Sequence, residues 1–100
     1  MLIFNTTFLV SDRIHGIWLK WVREQHIPFM LESGMLTTPQ VAKVISVDDQ
    51  EGTSYSVQFH VANMQTLEDW HIKYAKIFEQ LFAAKFGTEG MFFASVLEII

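Results

Sequence analysis

The chain contains no cysteine. That excludes a disulfide framework, a thiolate nucleophile and a cysteine-based zinc site, and it leaves no mark of an oxidising compartment. Basic residues are scarce as well. The seven lysines and arginines (Arg13, Lys20, Arg23, Lys43, Lys73, Lys76 and Lys85) are dispersed among eleven acids, for a net charge of -4. Nucleic-acid binding draws on a concentrated basic face that displaces counterions, so no nucleic-acid partner is expected. No apolar run approaches the roughly 18 to 20 residues of a membrane span. The opening MLIFNTTFLV is apolar, but it lacks a basic n-region and a small-residue cleavage site, and Asn5, Thr6 and Thr7 interrupt it. It reads as a strand rather than a signal peptide. Together these absences point to a soluble protein with no membrane partner, and the cytoplasm is its expected location.

What is present is apolar. Half of the one hundred residues are hydrophobic and 14% are aromatic, enough to bury a sizeable core in a single domain over residues 1–100 without help from metal or disulfide.

The hydrophobic period switches between two and 3.6 along the chain. Leu2, Phe4, Phe8 and Val10 alternate with Ile3, Asn5, Thr7 and Leu9 in a first strand. Ser11 is placed to cap a helix whose stripe holds Ile14, Ile17, Trp18, Trp21, Val22 and Gln25. Pro28 pushes Ile27 away from helical geometry, so this helix is expected to end near His26, with Pro28 opening one further turn that Gly34 stops. A second strand, from about Gln40 to Val47, is entered through Pro39, which suits an edge. Asp48 to Gly52 make a polar turn, and Ser54 to Val61 form a third strand. Thr66 with Asp69 resembles a capping box for a second helix running to Phe86. Met91 to Ile100 close the chain as a fourth strand.

The order β-α-β-β-α-β predicts an α+β, ferredoxin-like fold. Its antiparallel four-stranded sheet should run in the order 4-1-3-2, with both helices on one face. On the face left bare we expect Ile3, Thr7, Leu9, Val44, Ala94 and Val96, mixed with Asn5, Ser46, Ser56, Gln58, His60 and Glu98. An apolar patch of that extent, beside a long apolar edge strand, marks an interface, so a homodimer joined through its sheet faces is expected.

The segments WLKWVREQHIPFMLESG, TSYSVQF and the start MLIFN resemble an uncharacterised bacterial family, domain of unknown function 4286, over nearly the whole chain. By element order that family is similar to the dimeric α+β barrel superfamily, which includes antibiotic-biosynthesis monooxygenases and haem-degrading enzymes. The resemblance implies a fold and a dimer and no settled activity. Haem-degrading members use an Asn, a Trp and a His. Asn5, Trp70 and His71 offer those types, but adjacent Trp and His do not match their spacing, and the activity is not carried over.

No histidine pairs with another at metal-ligand spacing, and no metal or cofactor is expected. His26 is placed to bond free carbonyls at a helix end, with a ligand role as the alternative. The helical angle of His71 puts it on the inner face. Topology suggests that His26, His71, Trp21 and Trp70 share one corner beside the N-terminus of the second helix. Such a corner could hold a small apolar or aromatic anion. The expected function is a small-ligand-binding or interaction module; the alternative is a monooxygenase-like or haem-degrading enzyme.

Overall fold

The computed structural model describes residues 1–45 and 52–100. Strands β1 (Leu2–Val10), β2 (Thr37–Lys43), β3 (Thr53–Val61) and β4 (Gly90–Glu98) form one sheet in the order β2-β3-β1-β4. Every pairing is antiparallel. This is the expected 4-1-3-2 order, and the fold is α+β and ferredoxin-like. Two helical rods, residues 15–32 and 64–86, make the crossovers.

The period-two pattern of β1 decides which face is covered. Phe4, Thr6, Phe8 and Val10 are all buried, and they stand opposite Phe59, Val57, Tyr55 and Thr53 of β3. Phe8 lies at the centre, with its ring against Trp18 and Trp21 of the first helix, Phe78 and Phe82 of the second, and Phe92 of β4. Each phenylalanine so buried contributes about 1.5–3 kcal/mol. The aromatic cluster, with its tilted and edge-on ring pairs, therefore joins both helices to the sheet. Gly52, at φ 88°, opens β3 where a Cβ would stand 2.4 Å from the carbonyl oxygen of Val10, so the strand starts this close to β1 only with glycine.

Several expectations are corrected. The first helix does not break at His26. It runs through an α-helical His15–Trp21, a π-helical Val22–His26 and an α-helical Ile27–Glu32. The N–H of Ile27 bonds the carbonyl of Val22, five residues back, and Ile27 keeps helical angles of -59° and -48°. The wider π turn changes the bonding register just where Pro28 has no N–H to offer, so the rod continues past the proline. Ser11 does not cap the helix: the N-cap is Ile14, with no side-chain cap bond, and the Ser11 carbonyl accepts from the Ile14 N–H in the turn before it. The Ser11 hydroxyl oxygen is buried without a partner among the described residues.

The second helix contains its own π turn, His71–Ala75, between Met64–Trp70 and Lys76–Phe86. Its cap is Asn63 rather than Thr66: the Asn63 Oδ1 accepts from the Thr66 N–H at 2.9 Å. The second strand begins earlier than expected and contains Pro39. Thr38 takes a φ of 53°, and the register shifts between Thr37 and Gln40. The bulge accommodates the proline on this edge strand. Ser46, Val47 and most of the expected turn after them lie outside the described residues.

The bare face also differs on β4. Phe4 pairs with Val96 and Thr6 with Ala94, whereas Ile3 pairs with Leu97, Thr7 with Phe93 and Leu9 with Met91. Directly paired residues share a face. Ala94, Val96 and Glu98 therefore lie on the helix side, and Met91, Phe93, Ser95 and Leu97 take the bare face. The strand starts at Gly90, opposite Val10, and that register decides the parity. The apolar bare residues, Ile3, Leu9, Met91, Phe93 and Leu97, are divided by a polar row at Asn5. There Ser56 donates to the Asn5 Oδ1, and the Asn5 Nδ2 donates to Thr7 and Ser95 at 3.1 Å each.

Candidate functional site

The two helical rods lie antiparallel. Trp21 meets Phe82 and Phe86, His26 meets Phe78, and Phe29 meets Tyr74. Between them opens a cleft of about 270 Å³ lined by Trp21, Gln25, His26 and Phe29 of the first rod and Phe78, Leu81, Ala84 and Lys85 of the second.

His26 forms its inner end. The side chain is 2% exposed, and its ring is stacked on Trp21, with centroids 4.9 Å apart and planes 20° from parallel. Phe8, Phe59 and Phe78 close the other sides at 5.7, 6.3 and 5.1 Å. The π turn explains this placement, because it sets His26 on the same side of the rod as Trp21, five residues earlier. Neither Nδ1 nor Nε2 has a hydrogen-bond partner among the described residues. Burial among these rings penalises the charged form and lowers the pKa from 6.5 to about 3. At neutral pH the ring is an uncharged imidazole with one donor and one acceptor.

A buried polar atom without a partner costs about 1–3 kcal/mol, and most buried groups avoid that cost. His26 carries two. An apolar residue would pack there without that penalty; the indole nitrogens of Trp18 and Trp70 are also buried without a partner among the described residues, one atom each. His26 is thus no helix-end cap: the rod continues past it, and its nitrogens bond no carbonyl.

The four-residue corner does not form. Trp21 and His26 are in contact, but His71 is exposed. It lines a separate hollow of about 400 Å³ with Phe4, Leu67, Ala94 and Val96. Trp70 packs on Phe4 and Tyr74. Two effects separate the pairs. The first rod extends six residues, Ile27–Glu32, or about 9 Å, beyond His26, so His26 faces the middle of the second rod. The π turn also carries the inner stripe from Trp70 to Ala75, five residues on, and leaves His71 outside it. Nor are Asn5, Trp70 and His71 brought together: Asn5 is on the bare face and Trp70 on the helix side.

Sequence reasoning missed Phe78, Leu81 and Lys85 as cleft residues. Their spacing of three and four is legible as one helical face. That this face looks across at Trp21 and Gln25 follows only from the pairing of the rods.

A second hollow, of about 730 Å³, lies on the bare face among Thr7, Leu9, Val44, Ser54, Met91 and Phe93. Its lining includes none of the buried polar atoms that lack a partner. Among the described residues no group of three or more His, Asp and Glu could hold a metal ion, and no helix is long and apolar enough to cross a membrane.

The profile of a protein family, Domain of unknown function (DUF4286), matches residues 1–100. The chain belongs to this family. Two solved structures share the fold of this DUF4286 protein. One is an ethyl tert-butyl ether degradation (EthD) family protein from Bacillus halodurans C-125, with a TM-score of 0.72, 11% identity and 100% of both chains covered. The other is a protein from Deinococcus radiodurans assigned as an antibiotic biosynthesis monooxygenase, with a TM-score of 0.67 and 16% identity, covering 100% of this chain and 93% of that one. No curated protein matches the sequence.

Proposed function

We propose that this DUF4286 protein is a homodimeric small-ligand-binding module of the bacterial cytoplasm, whose interhelical cleft takes a small apolar or aromatic anion. The observation that carries the reading is His26: an imidazole 2% exposed, with both nitrogens unpartnered, at the inner end of an apolar cleft. Trp21, Phe29, Phe78 and Leu81 supply the apolar walls. Lys85 and Gln25, both exposed, supply polar groups at the solvent end. The cleft volume suits a ligand of one or two rings, at the low end of small-molecule sites. Candidate ligand contacts are therefore Trp21 and His26; Trp70 and His71 stand apart from them. The reading asks for no cofactor.

Support for the dimer comes from the bare face. Met91 and Phe93 are 64% and 65% exposed there, beside Leu9, with Ile3 and Leu97 beyond the Asn5–Ser95 pair, and exposed apolar area of this kind marks an interaction surface.

Native mass spectrometry of the protein purified from its own host tests the ligand. A bound small molecule that is lost in His26→Leu supports the reading; a ligand retained unchanged in that variant overturns it. A monooxygenase-like or haem-degrading enzyme is the second reading, favoured by the fold shared with the Deinococcus radiodurans protein assigned as an antibiotic biosynthesis monooxygenase. Oxygen uptake with the identified ligand, absent in His26→Leu, would select it.

A further inference from the structure

The cleft has a direction. Its inner end is an uncharged imidazole enclosed by four aromatic rings, and its outer end carries Lys85. Resting on the assignment of the cleft as the ligand site, we infer that the ligand is bipolar: an aromatic hydroxyl lies inward on His26, an anionic group lies outward at Lys85, and the ring sits between them against Trp21, Phe78 and Leu81.

The argument turns on which head group the inner end can satisfy. Both His26 nitrogens lie beneath the cleft surface; a hydroxyl both donates and accepts, so it pairs with whichever of them the ring turns toward the cleft, the bare one or the N–H, in either tautomer. A carboxylate only accepts. Placed at the inner end it would use the N–H alone and would lose its hydration among Trp21, Phe8, Phe59 and Phe78, a desolvation that one neutral hydrogen bond does not offset. It could gain a charged partner only if His26 took up a proton, and burial disfavours that form. At the outer end the same carboxylate keeps contact with water and meets a lysine, whose ammonium can follow it on a flexible stem. An apolar ring without a hydroxyl would fill the cleft but leave both His26 nitrogens unpaired. The site should therefore discriminate by hydroxyl more strongly than by ring size, because a polar group left unsatisfied costs more than a methylene left out.

Three pairs of probes test this: 4-hydroxybenzoate, 4-hydroxyphenylacetate and 3-(4-hydroxyphenyl)propionate, each against its counterpart without the hydroxyl. Binding is followed by calorimetry and by quenching of tryptophan fluorescence, with 4-ethylphenol as the probe lacking a carboxylate. For at least one pair the hydroxylated acid is expected to bind tenfold or more tightly than its partner. His26→Leu should abolish that preference while still binding the partner, and Lys85→Gln should abolish the preference for the acid over 4-ethylphenol while leaving the hydroxyl preference intact. Binding with no hydroxyl preference in the wild type, or a preference that survives His26→Leu, overturns the orientation and leaves the cleft as a general aromatic site. If none of the seven probes binds, both the orientation and the assignment of the cleft fall.

Discussion

The His26 imidazole lies stacked on the Trp21 indole, 4.9 Å between centroids, with both ring nitrogens buried and without a partner among the described residues. The contact makes His26 a member of the aromatic core that carries two unpaired polar atoms.

The first prediction follows from its titration. The unfolded chain takes up the His26 proton near pH 6.5, and the folded chain only near pH 3. Between those values the unfolded state binds more protons, so stability falls as pH falls, by about 1.4 kcal/mol per unit from this group. Above pH 6.5 the contribution is constant. Urea unfolding of the wild type and His26→Leu at pH 7, 6 and 5 should show the variant as stable as the wild type or more so at pH 7, with its advantage growing as the pH is lowered. Parallel pH profiles would show that His26 is hydrated in the folded state.

The second concerns the bare face. If the proposed homodimer joins through that face, Phe93→Arg puts a cation into its interface and should dissociate it in sedimentation or light scattering. Val96→Arg, on the helix side of β4, should leave it associated. If Val96→Arg dissociates the dimer and Phe93→Arg does not, the interface is on the other side of the strand.

The third separates the two caps of the second helix. Asn63→Ala removes the oxygen that accepts from the Thr66 N–H and should cost about 1 kcal/mol. Asp69→Ala, which under a capping box would cost as much, should change stability by less than half of that. Equal losses in thermal unfolding would reinstate the box.

The fourth tests the π turn. If the wider turn already accommodates the missing N–H of Pro28, then Pro28→Ala should shift stability by no more than about 1 kcal/mol in either direction, the loss of unfolded-state restriction opposing the gain in helix propensity. A stabilisation near 3 kcal/mol in denaturant unfolding would mean that the proline strains the rod.

Much of the fold was legible before any coordinates. The alternation in β1, the stripe around Trp18 and the end of the second rod at Phe86 are local signals. Right-handed connections then turn such elements into one sheet order. The parity of β4 was not legible, because MFFASVLEII is apolar on both faces and only its pairing with β1 decides which residues turn inward. The two π turns were hidden for a similar reason. A π turn is one extra residue in the bonding pattern, stabilised by packing around Trp21, His26 and Trp70, and it leaves no mark in an averaged 3.6 period.

By itself, then, the sequence determined the element order, the covered face of β1 and the presence of a histidine among aromatic residues, because these depend on neighbours along the chain. The tertiary structure alone decided that His26 points into the core with unpaired nitrogens, that His71 points to solvent, and that Lys85 shares a cleft with Trp21. Those facts depend on the phase of each rod after its π turn and on how the rods are paired. A phase shift of one residue moves a side chain from one side of a helix to another, and only packing against the sheet selects between the two.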